Sequence, residues 1–346
     1  MINAKGYAAQ DPQADLAPWE FQVRELGPHD VQLRIMYCGV CHTDLHQIRN
    51  DWFPGIFPMV PGHEIVGEVV EIGAHVKKFA RGDWAGVGVM VDSCGVCQEC
   101  GHDHENQCSN GTVWTYNSLG KDGLPTYGGY ANILVVNEKF ALQVSKVLDP
   151  KGVGPLLCAG ITTYSPLRRL NVGQGHKLAV LGLGGLGHMA VKFGLAFGAD
   201  VTVLSNSPAK RYDALELGAH HFIDMSNVDE AESVKGTFDF IIDCVSAKHD
   251  LNLYLGLLAN GGTHICVGIP SEPFELSPFS LLSGNKSVTG SGAGGLAETQ
   301  EMLDFCAAHN ITADVELIDI KNINAAFERM VRGDVRYRFV IDLETL

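Results

Sequence analysis

The sequence lacks the features of a membrane, secreted or nucleic-acid-binding protein. It has no apolar run long enough to span a bilayer, and its start, MINAKGYAAQ, lacks the apolar core of a signal peptide. Its 25 basic residues are outnumbered by 40 acidic ones, and the net charge of -15 argues against nucleic acid or anionic membrane as a partner. We therefore expect a cytoplasmic protein whose thiols stay reduced.

What is abundant is glycine. Forty glycines among 346 residues indicate many tight turns and close backbone approaches, as nucleotide-binding folds need. The hydrophobic content of 46% is ordinary for a globular protein, and the length suggests about two domains.

Four of the ten cysteines lie close together in one polar, glycine-rich loop. Thiolates at such short steps can converge on one tetrahedral ion, which predicts a closed structural zinc site. Two disulfides or a redox pair are the alternatives, and even steps of three residues suit neither well. A closed site has no position for substrate. We therefore expect a structural role for Cys94, Cys97, Cys100 and Cys108.

The chain up to about residue 145 has the pattern of a β-rich domain. Val31–Tyr37 alternates apolar and polar residues, as a half-buried strand does. His63–Gly73 predicts another strand, with Gly67 at a bulge or close approach. Short strands and frequent Gly and Pro indicate an antiparallel barrel or meander.

The pattern changes near residue 150. Apolar strands, among them Lys177–Gly182 and Val201–Leu204, alternate with helical segments, which predicts a doubly wound parallel sheet of the α/β class. After about residue 286 the sequence predicts two amphipathic helices and a final strand, RYRFVIDL.

A glycine-rich turn follows the first of these strands. The segment LGLGGLG places Gly182, Gly184 and Gly187 between a strand and a helix, with Gly185 and Leu186 in the same turn. This context predicts a dinucleotide pyrophosphate at the helix N-terminus. The alternative is a glycine-rich turn without a ligand.

The second strand lacks the acid that usually binds an adenosine ribose. It ends at Ser205, and no carboxylate follows until Asp213. Ser205 and Asn206 can hydrogen-bond a 2'-phosphate, and Lys210 or Arg211 can neutralise it, which favours NADP(H) over NAD(H). The alternative is that these bases are ordinary helix-start residues facing water.

Further metal-type residues are scattered. Cys41, His63 and Cys158 are too far apart for spacing to group them, and Cys158 alone is more readily a core thiol. Two cysteines and a histidine with one open position nevertheless form a known catalytic zinc arrangement. We assign to the core four cysteines in apolar stretches, Cys38, Cys244, Cys266 and Cys306.

The chain resembles the zinc-dependent medium-chain alcohol dehydrogenases, and within them the cinnamyl alcohol dehydrogenase-like branch with its broad-range NADPH-dependent aldehyde reductases. Matching motifs run nearly end to end, including GVCHTDLHQIRNDW, PMVPGHEIVGEVVEIG, GPLLCAGITTYSPL, LGLGGLGHMAVKF and GDVRYRFVID. The resemblance implies a GroES-like catalytic domain over residues 1–150 and 287–346, and a Rossmann domain over 151–286.

The resemblance also implies roles for single residues. Cys41, His63 and Cys158 would bind a catalytic zinc, with Glu64 either as a transient fourth ligand or as a residue that supports the ligands without binding the ion. Asp44 would orient His63. Thr43 would donate a hydrogen bond to the reacting oxygen, and His46 would complete a proton path to solvent. Thr162 would lie beside the nicotinamide, and His42 would face the pyrophosphate. Trp52 and Trp114 would line an apolar substrate pocket.

The alternatives are an exposed histidine at His42 or His46, and core or interface aromatics at the two tryptophans. The resemblance implies two zinc ions per chain, NADP(H), an aromatic or medium-chain aldehyde or primary alcohol, and a homodimer paired near Gly290. The rivals are an NAD-linked dehydrogenase and a non-catalytic zinc and nucleotide binding protein.

Overall fold

The computed structural model describes residues 1–270 and 272–346. The chain forms two compact units, one of Met1–Cys158 with Gly294–Leu346 and the other of Ala159–Ala293. Both boundaries fall several residues later than the predicted ones, so that Cys158 belongs to the first unit. Within the described residues, no helix has the length and apolar character required to cross a membrane.

Strands and helices are numbered along the chain. The strands are β1 Ile2–Ala8, β2 Ala17–Val23, β3 Asp30–Gly39, β4 Ile65–Ile72, β5 Trp84–Val87, β6 Met90–Asp92, β7 Val113–Trp114, β8 Ile133–Asn137, β9 Leu142–Gln143, β10 Lys177–Leu181, β11 Asp200–Ser205, β12 His221–Asp224, β13 Phe238–Asp243, β14 Leu258–Cys266, β15 Ser287–Gly290, β16 Val315–Asp319 and β17 Arg338–Asp342. The helices are α1 His42–Ile48, α2 Gln98–Gly101, α3 Pro150–Val153, α4 Ala159–Arg169, α5 Gly187–Ala196, α6 Arg211–Glu216, α7 Val228–Ser233, α8 Leu251–Leu257, α9 Pro278–Leu282, α10 Leu296–His309 and α11 Ile323–Val331.

The first unit is built on a mostly antiparallel sheet. Its order is β16-β17-β3-β4-β5-β9, with β8 also paired to β3, and β1-β2 and β6-β7 form separate two-stranded sheets. The predicted strands are confirmed, as are the two late helices, α10 and α11. The predicted irregularity at Gly67 is also confirmed. Ile35 pairs with Gly67 and Tyr37 with Val66, which leaves Met36 as the extra residue of a bulge.

The second unit is a six-stranded sheet in which every pairing is parallel. Its order is β12-β11-β10-β13-β14-β15, and the direction of winding reverses between β10 and β13. The centres of the four strands β10, β11, β13 and β14 are fully buried, as the apolar runs predict for strands covered on both faces. Examples are Val180, Val203, Ile241 and Ile265. This topology confirms the predicted doubly wound fold and places the ends of β10 and β13 at one edge.

Candidate active site and metal centres

Three loops of the first unit bring two thiols and an imidazole together. Cys41 immediately precedes α1, His63 lies just before β4, and Cys158 follows a short turn over Gly154–Leu157. The sulfurs of Cys41 and Cys158 are 3.8 Å apart. With His63 and Glu64 they form a group whose ligand atoms all lie within 4.8 Å of one another.

The His63 ring is oriented by a carboxylate. Its Nδ1 lies 3.1 Å from Oδ1 of Asp44, and its Nε2 is buried without a hydrogen-bond partner in the structure. A metal-binding histidine holds its ion through one nitrogen and hydrogen-bonds through the other. The unpartnered Nε2 beside two thiols therefore fits a zinc ion, for which two cysteines and a histidine are a suitable donor set.

Asp44 is itself held by several donors. Its side chain is fully buried and accepts hydrogen bonds from the backbone N–H groups of Cys41, at 2.9 Å, and Gly62, at 3.1 Å. The hydroxyl of Tyr130 donates a third, at 3.1 Å. Buried polar groups left unpaired are costly, so this set stabilises a single position of the carboxylate. The position of His63 is fixed through it.

Glu64 lies at the edge of the metal-binding group. Its Oε1 forms an ion pair with Arg338, and both side chains are buried. Its Oε2 has no hydrogen-bond partner and lies over Gly39, where an added Cβ would come within 1.9 Å of that oxygen. Burial raises the pKa of Glu64 to about 7. The place of Glu64 suits a fourth ligand, and that role stays a prediction.

The predicted proton path begins on α1. Thr43 and His46 are partly exposed on this helix, and His42, its first residue, is exposed. Nδ1 of His46 lies 2.7 Å from Oδ2 of Asp51, and its ring stacks on Trp52 with centroids 4.6 Å apart. His46 is therefore held by a carboxylate and an aromatic ring.

The second cysteine group forms a compact lobe, residues 94–108. The sulfurs of Cys94 and Cys100 are 3.9 Å apart, and those of Cys97 and Cys108 are 4.0 Å apart. All four lie within 4.8 Å of one another. A tetrahedral zinc with bonds of about 2.3 Å separates its sulfurs by about 3.8 Å, so the group fits that ion.

Backbone N–H groups support the thiols of the lobe. The N–H groups of Val96 and Cys97 point at Cys94 Sγ, at 3.5 and 3.3 Å. These donors, that of Val96 first, lower the pKa of Cys94 to about 6, because they favour the thiolate. The lobe is attached to α10 through buried Glu105, whose carboxylate accepts the N–H of Leu296 at 3.2 Å.

The glycine-rich turn of the second unit lies between β10 and α5. Gly182 has a φ of +86°, which favours glycine, and a Cβ on Gly187 would lie 2.0 Å from the carbonyl oxygen of Gly182. A Cβ on Gly184 would meet no atom within 4 Å. The packing of the unit therefore requires glycine at two positions but not at Gly184, where open space fits the approach of a ligand.

Lys210 and Arg211 have different partners. Lys210 Nζ donates to the carbonyl oxygen of Leu183 in the glycine-rich turn, at 2.8 Å. Arg211 instead binds both carboxylate oxygens of Glu230, at 2.9 and 3.0 Å, and stacks over Phe222. Only the first cation is thus directed at the predicted phosphate region.

The other predicted cofactor residues lie on the same unit. Ser205 ends β11 and is buried, with its Oγ accepting the N–H of Ser207 at 3.1 Å, and Asn206 is exposed directly after it. Thr162 lies on α4 and is partly exposed.

The two predicted pocket tryptophans have different surroundings. Trp52 is half-buried against His46, whereas Trp114 lies in the β6-β7 hairpin and is 45% exposed. A substrate role stays a prediction for both.

Family models match both units of the chain. An alcohol dehydrogenase GroES-like domain matches residues 27–146, and a zinc-binding dehydrogenase model matches residues 185–308. A probable mannitol dehydrogenase from Medicago sativa is 50% identical over 344 residues, which is 99% of this chain and 95% of the relative. The chain belongs to the zinc-binding alcohol dehydrogenase family. This zinc-dependent dehydrogenase is also 49% identical to a probable cinnamyl alcohol dehydrogenase from Oryza sativa subsp. japonica, over 99% of this chain and 93% of the relative.

Solved structures agree with this membership. A cinnamyl alcohol dehydrogenase from Sorghum bicolor superposes with a TM-score of 0.96 at 45% identity, over 99% of this chain and 98% of the other. CAD from Helicobacter pylori, complexed with NADP(H), has a TM-score of 0.94 at 41% identity and 99% coverage of both chains. The fold and the branch implied by the sequence motifs are confirmed.

Several supporting residues are not evident from the sequence. Tyr130, Arg338 and Asp51 contact predicted site residues, although no role was predicted from the sequence for any of the three. The assignment of Cys244 and Cys266 to the core is wrong, because both are partly exposed, whereas Cys38 and Cys306 are fully buried as predicted. Cys266 ends β14, where an apolar sequence pattern no longer ensures burial.

Proposed function

We propose that this zinc-dependent dehydrogenase uses NADP(H) to interconvert aldehydes and primary alcohols, with aromatic and medium-chain aldehydes as substrates. The observation that carries the proposal is the group of Cys41, His63 and Cys158, in which the first two residues are buried and His63 Nε2 has no partner among protein atoms. Cinnamyl alcohol dehydrogenases among the relatives and solved structures support the substrate class.

The three ligands and Asp44 prepare the site. Cys41, His63 and Cys158 would hold the zinc, and Asp44 keeps Nε2 of His63 directed at it. Zinc, when bound, supplies Lewis-acid polarisation of a carbonyl oxygen. The chain itself must position the carbonyl carbon for the nicotinamide and deliver a proton.

The proton is moved by α1. In the proposal, Thr43 hydrogen-bonds the reacting oxygen, and His46 connects it to solvent through the cofactor ribose. With Nδ1 of His46 donating to Asp51, Nε2 is the nitrogen that exchanges the proton. Asp51 therefore serves as a positioning residue for His46.

The cofactor proposal rests on the missing acid after β11 and on the direction of Lys210. Ser205 and Asn206 offer hydrogen bonds to a 2'-phosphate, and Lys210 adds positive charge beside the glycine-rich turn. The NADP(H) complex of the Helicobacter pylori relative supports this choice.

Metal removal tests the reaction. We expect NADPH oxidation with cinnamaldehyde or benzaldehyde, its loss after chelation, and its recovery on addition of zinc. Full reductase activity in metal-free protein would contradict the proposal. Equal catalytic efficiency with NADH and NADPH would instead favour an NAD-linked dehydrogenase.

The neighbouring cations Lys210 and Arg211 allow a matched test of the preference for NADP(H). Lys210→Ala should raise KM for NADPH about tenfold or more and leave KM for NADH nearly unchanged, because a charge-assisted hydrogen bond contributes about 1.5–3 kcal/mol. Arg211→Ala removes a cation that is already paired with Glu230 and should change neither value. Equal effects of both substitutions on KM for NADPH would contradict a specific role of Lys210.

We also propose a homodimer. The strand β15 ends the six-stranded sheet, and it is paired on one side only in the part of the chain that the structure describes. Val288 on this strand is partly exposed, and Phe279 and Leu282 on α9 are strongly exposed. An open strand edge with exposed apolar side chains beside it favours pairing with a second copy, and sedimentation would measure the dimer. The ten cysteines form no disulfide among the described residues, which suits a reducing compartment such as the cytoplasm.

A further inference from the structure

A third group of metal-type side chains lies in the second unit, apart from both zinc sites described above. Asp243 ends β13 and Cys266 ends β14, and the two are paired neighbours in the parallel sheet. His264 lies two residues before Cys266, on the same face of β14. One ligand atom from each of the three residues lies within 4.8 Å of the others.

The contacts within this group are specific. The Cys266 sulfur lies 3.6 Å from Nδ1 of His264, and Nε2 of His264 lies 3.7 Å from Oδ2 of Asp243. Nε2 of His249 lies 2.8 Å from the same carboxylate oxygen. The backbone N–H of Val245 donates to the other oxygen at 3.0 Å.

These hydrogen bonds explain only part of the group. Asp243 and His249 form an ordinary carboxylate–imidazole pair, but His264 is fully buried and its Nε2 has no hydrogen-bond partner. A buried polar atom without a partner is costly, and in native structures it often marks a missing ion or water.

We propose that Asp243, His264 and Cys266 form a third metal site that binds a divalent transition-metal ion of the zinc class. Sulfur and imidazole donors select such an ion over Mg²⁺ or Ca²⁺, which prefer oxygen. The site is three-coordinate from the protein and leaves a position for water. His249 is a positioning residue that orients the Asp243 carboxylate.

The charges balance at this site. The carboxylate of Asp243 and the thiolate of Cys266 together neutralise a divalent ion, which avoids an uncompensated buried charge. Binding of the ion displaces the thiol proton of Cys266, and this proton leaves to solvent. Cys266 is partly exposed, and it therefore provides the side from which an ion enters.

The zinc content of the purified chain tests the site. After saturation with zinc and desalting, we expect three equivalents per wild-type chain by mass spectrometry of the metal. His264→Leu and Cys266→Ser should each hold two, with aldehyde reduction unchanged. Cys266→Ser changes the volume least, so it keeps the test informative if His264→Leu fails to fold.

Matched controls separate the site from its surroundings. Cys244 is next to Asp243 in the chain, but its thiol is not part of the group. Cys244→Ser should therefore keep three equivalents of zinc. His249→Phe should lower the affinity for the third zinc ion by roughly 10–100-fold, because the Asp243 carboxylate loses its orienting partner. Two equivalents in the saturated wild type, or three in folded Cys266→Ser, would overturn the proposal. Neither result bears on the catalytic zinc, whose ligands are unchanged.

Discussion

The two zinc sites of the first unit are made in opposite ways. The lobe takes its four thiols from one short segment, residues 94–108, and supports them with its own backbone N–H groups. The proposed catalytic group takes its ligands from three distant segments and buries Cys41 and His63, with Asp44 and Tyr130 behind His63. A site whose ligands come from one short segment depends on its metal for local folding. A site whose ligands come from distant segments forms only when the whole unit has folded.

This difference supports our proposal that the two groups have separate functions. Four thiolates complete the coordination of a zinc ion in the lobe and leave no position for substrate. Two thiolates and one imidazole would leave a position open in the proposed catalytic group. Loss of a ligand should therefore affect stability in the lobe and turnover in the catalytic group.

The largest expected effect is at His63. His63→Ala should reduce kcat/KM for NADPH-dependent aldehyde reduction by at least about 1,000-fold. The site loses one of its three zinc ligands, and with the zinc it loses the Lewis acid. NADPH binding, measured by fluorescence, should be nearly unchanged. His75→Ala, at an exposed histidine outside the group, is the control and should keep full activity.

The next effect is on the stability of the lobe. Cys97→Ala should lower the melting temperature by roughly 5–10 °C, which corresponds to about 3 kcal/mol of lost metal-coupled folding energy in a unit of this size. Val96→Ala, at a strongly exposed neighbour, should change the unfolding free energy by less than about 0.5 kcal/mol. Equal melting temperatures for both variants would show that the lobe does not depend on its metal.

A smaller effect is expected behind the catalytic ligands. Asp44→Asn keeps the shape of the side chain but weakens the hold on His63, and zinc affinity should fall roughly 10–100-fold. The measurement is competition with a chelator of known affinity. Unchanged zinc affinity would mean that Asp44 does not contribute to metal binding.

The smallest effect is at Tyr130. Tyr130→Phe removes one hydrogen bond to Asp44, worth about 1 kcal/mol, so kcat/KM should fall about fivefold. Metal content by mass spectrometry should stay at the wild-type level. If Tyr130→Phe lowered kcat/KM as much as Asp44→Asn does, the carboxylate of Asp44 would depend on Tyr130 alone for its position.

Sites made of residues that are neighbours along the chain were predictable from the sequence. The meeting of residues from distant segments was not. The lobe, the glycine-rich turn and the main strands follow from spacing and periodicity, because their residues are neighbours along the chain. The catalytic ligands were grouped by resemblance, since no local rule joins Cys41 to Cys158. The misassigned Cys266 shows the same limit, because its metal-type neighbour Asp243 comes from another strand.

The most direct test compares the two sites by turnover per folded molecule. Cys97→Ala and His63→Ala are measured side by side at low temperature, with initial rates divided by the folded fraction from circular dichroism. We predict that Cys97→Ala keeps activity within a few-fold of wild type, whereas His63→Ala has almost none. Complete loss of turnover in folded Cys97→Ala, or substantial turnover in His63→Ala, would contradict the separation of structure and chemistry between the two sites.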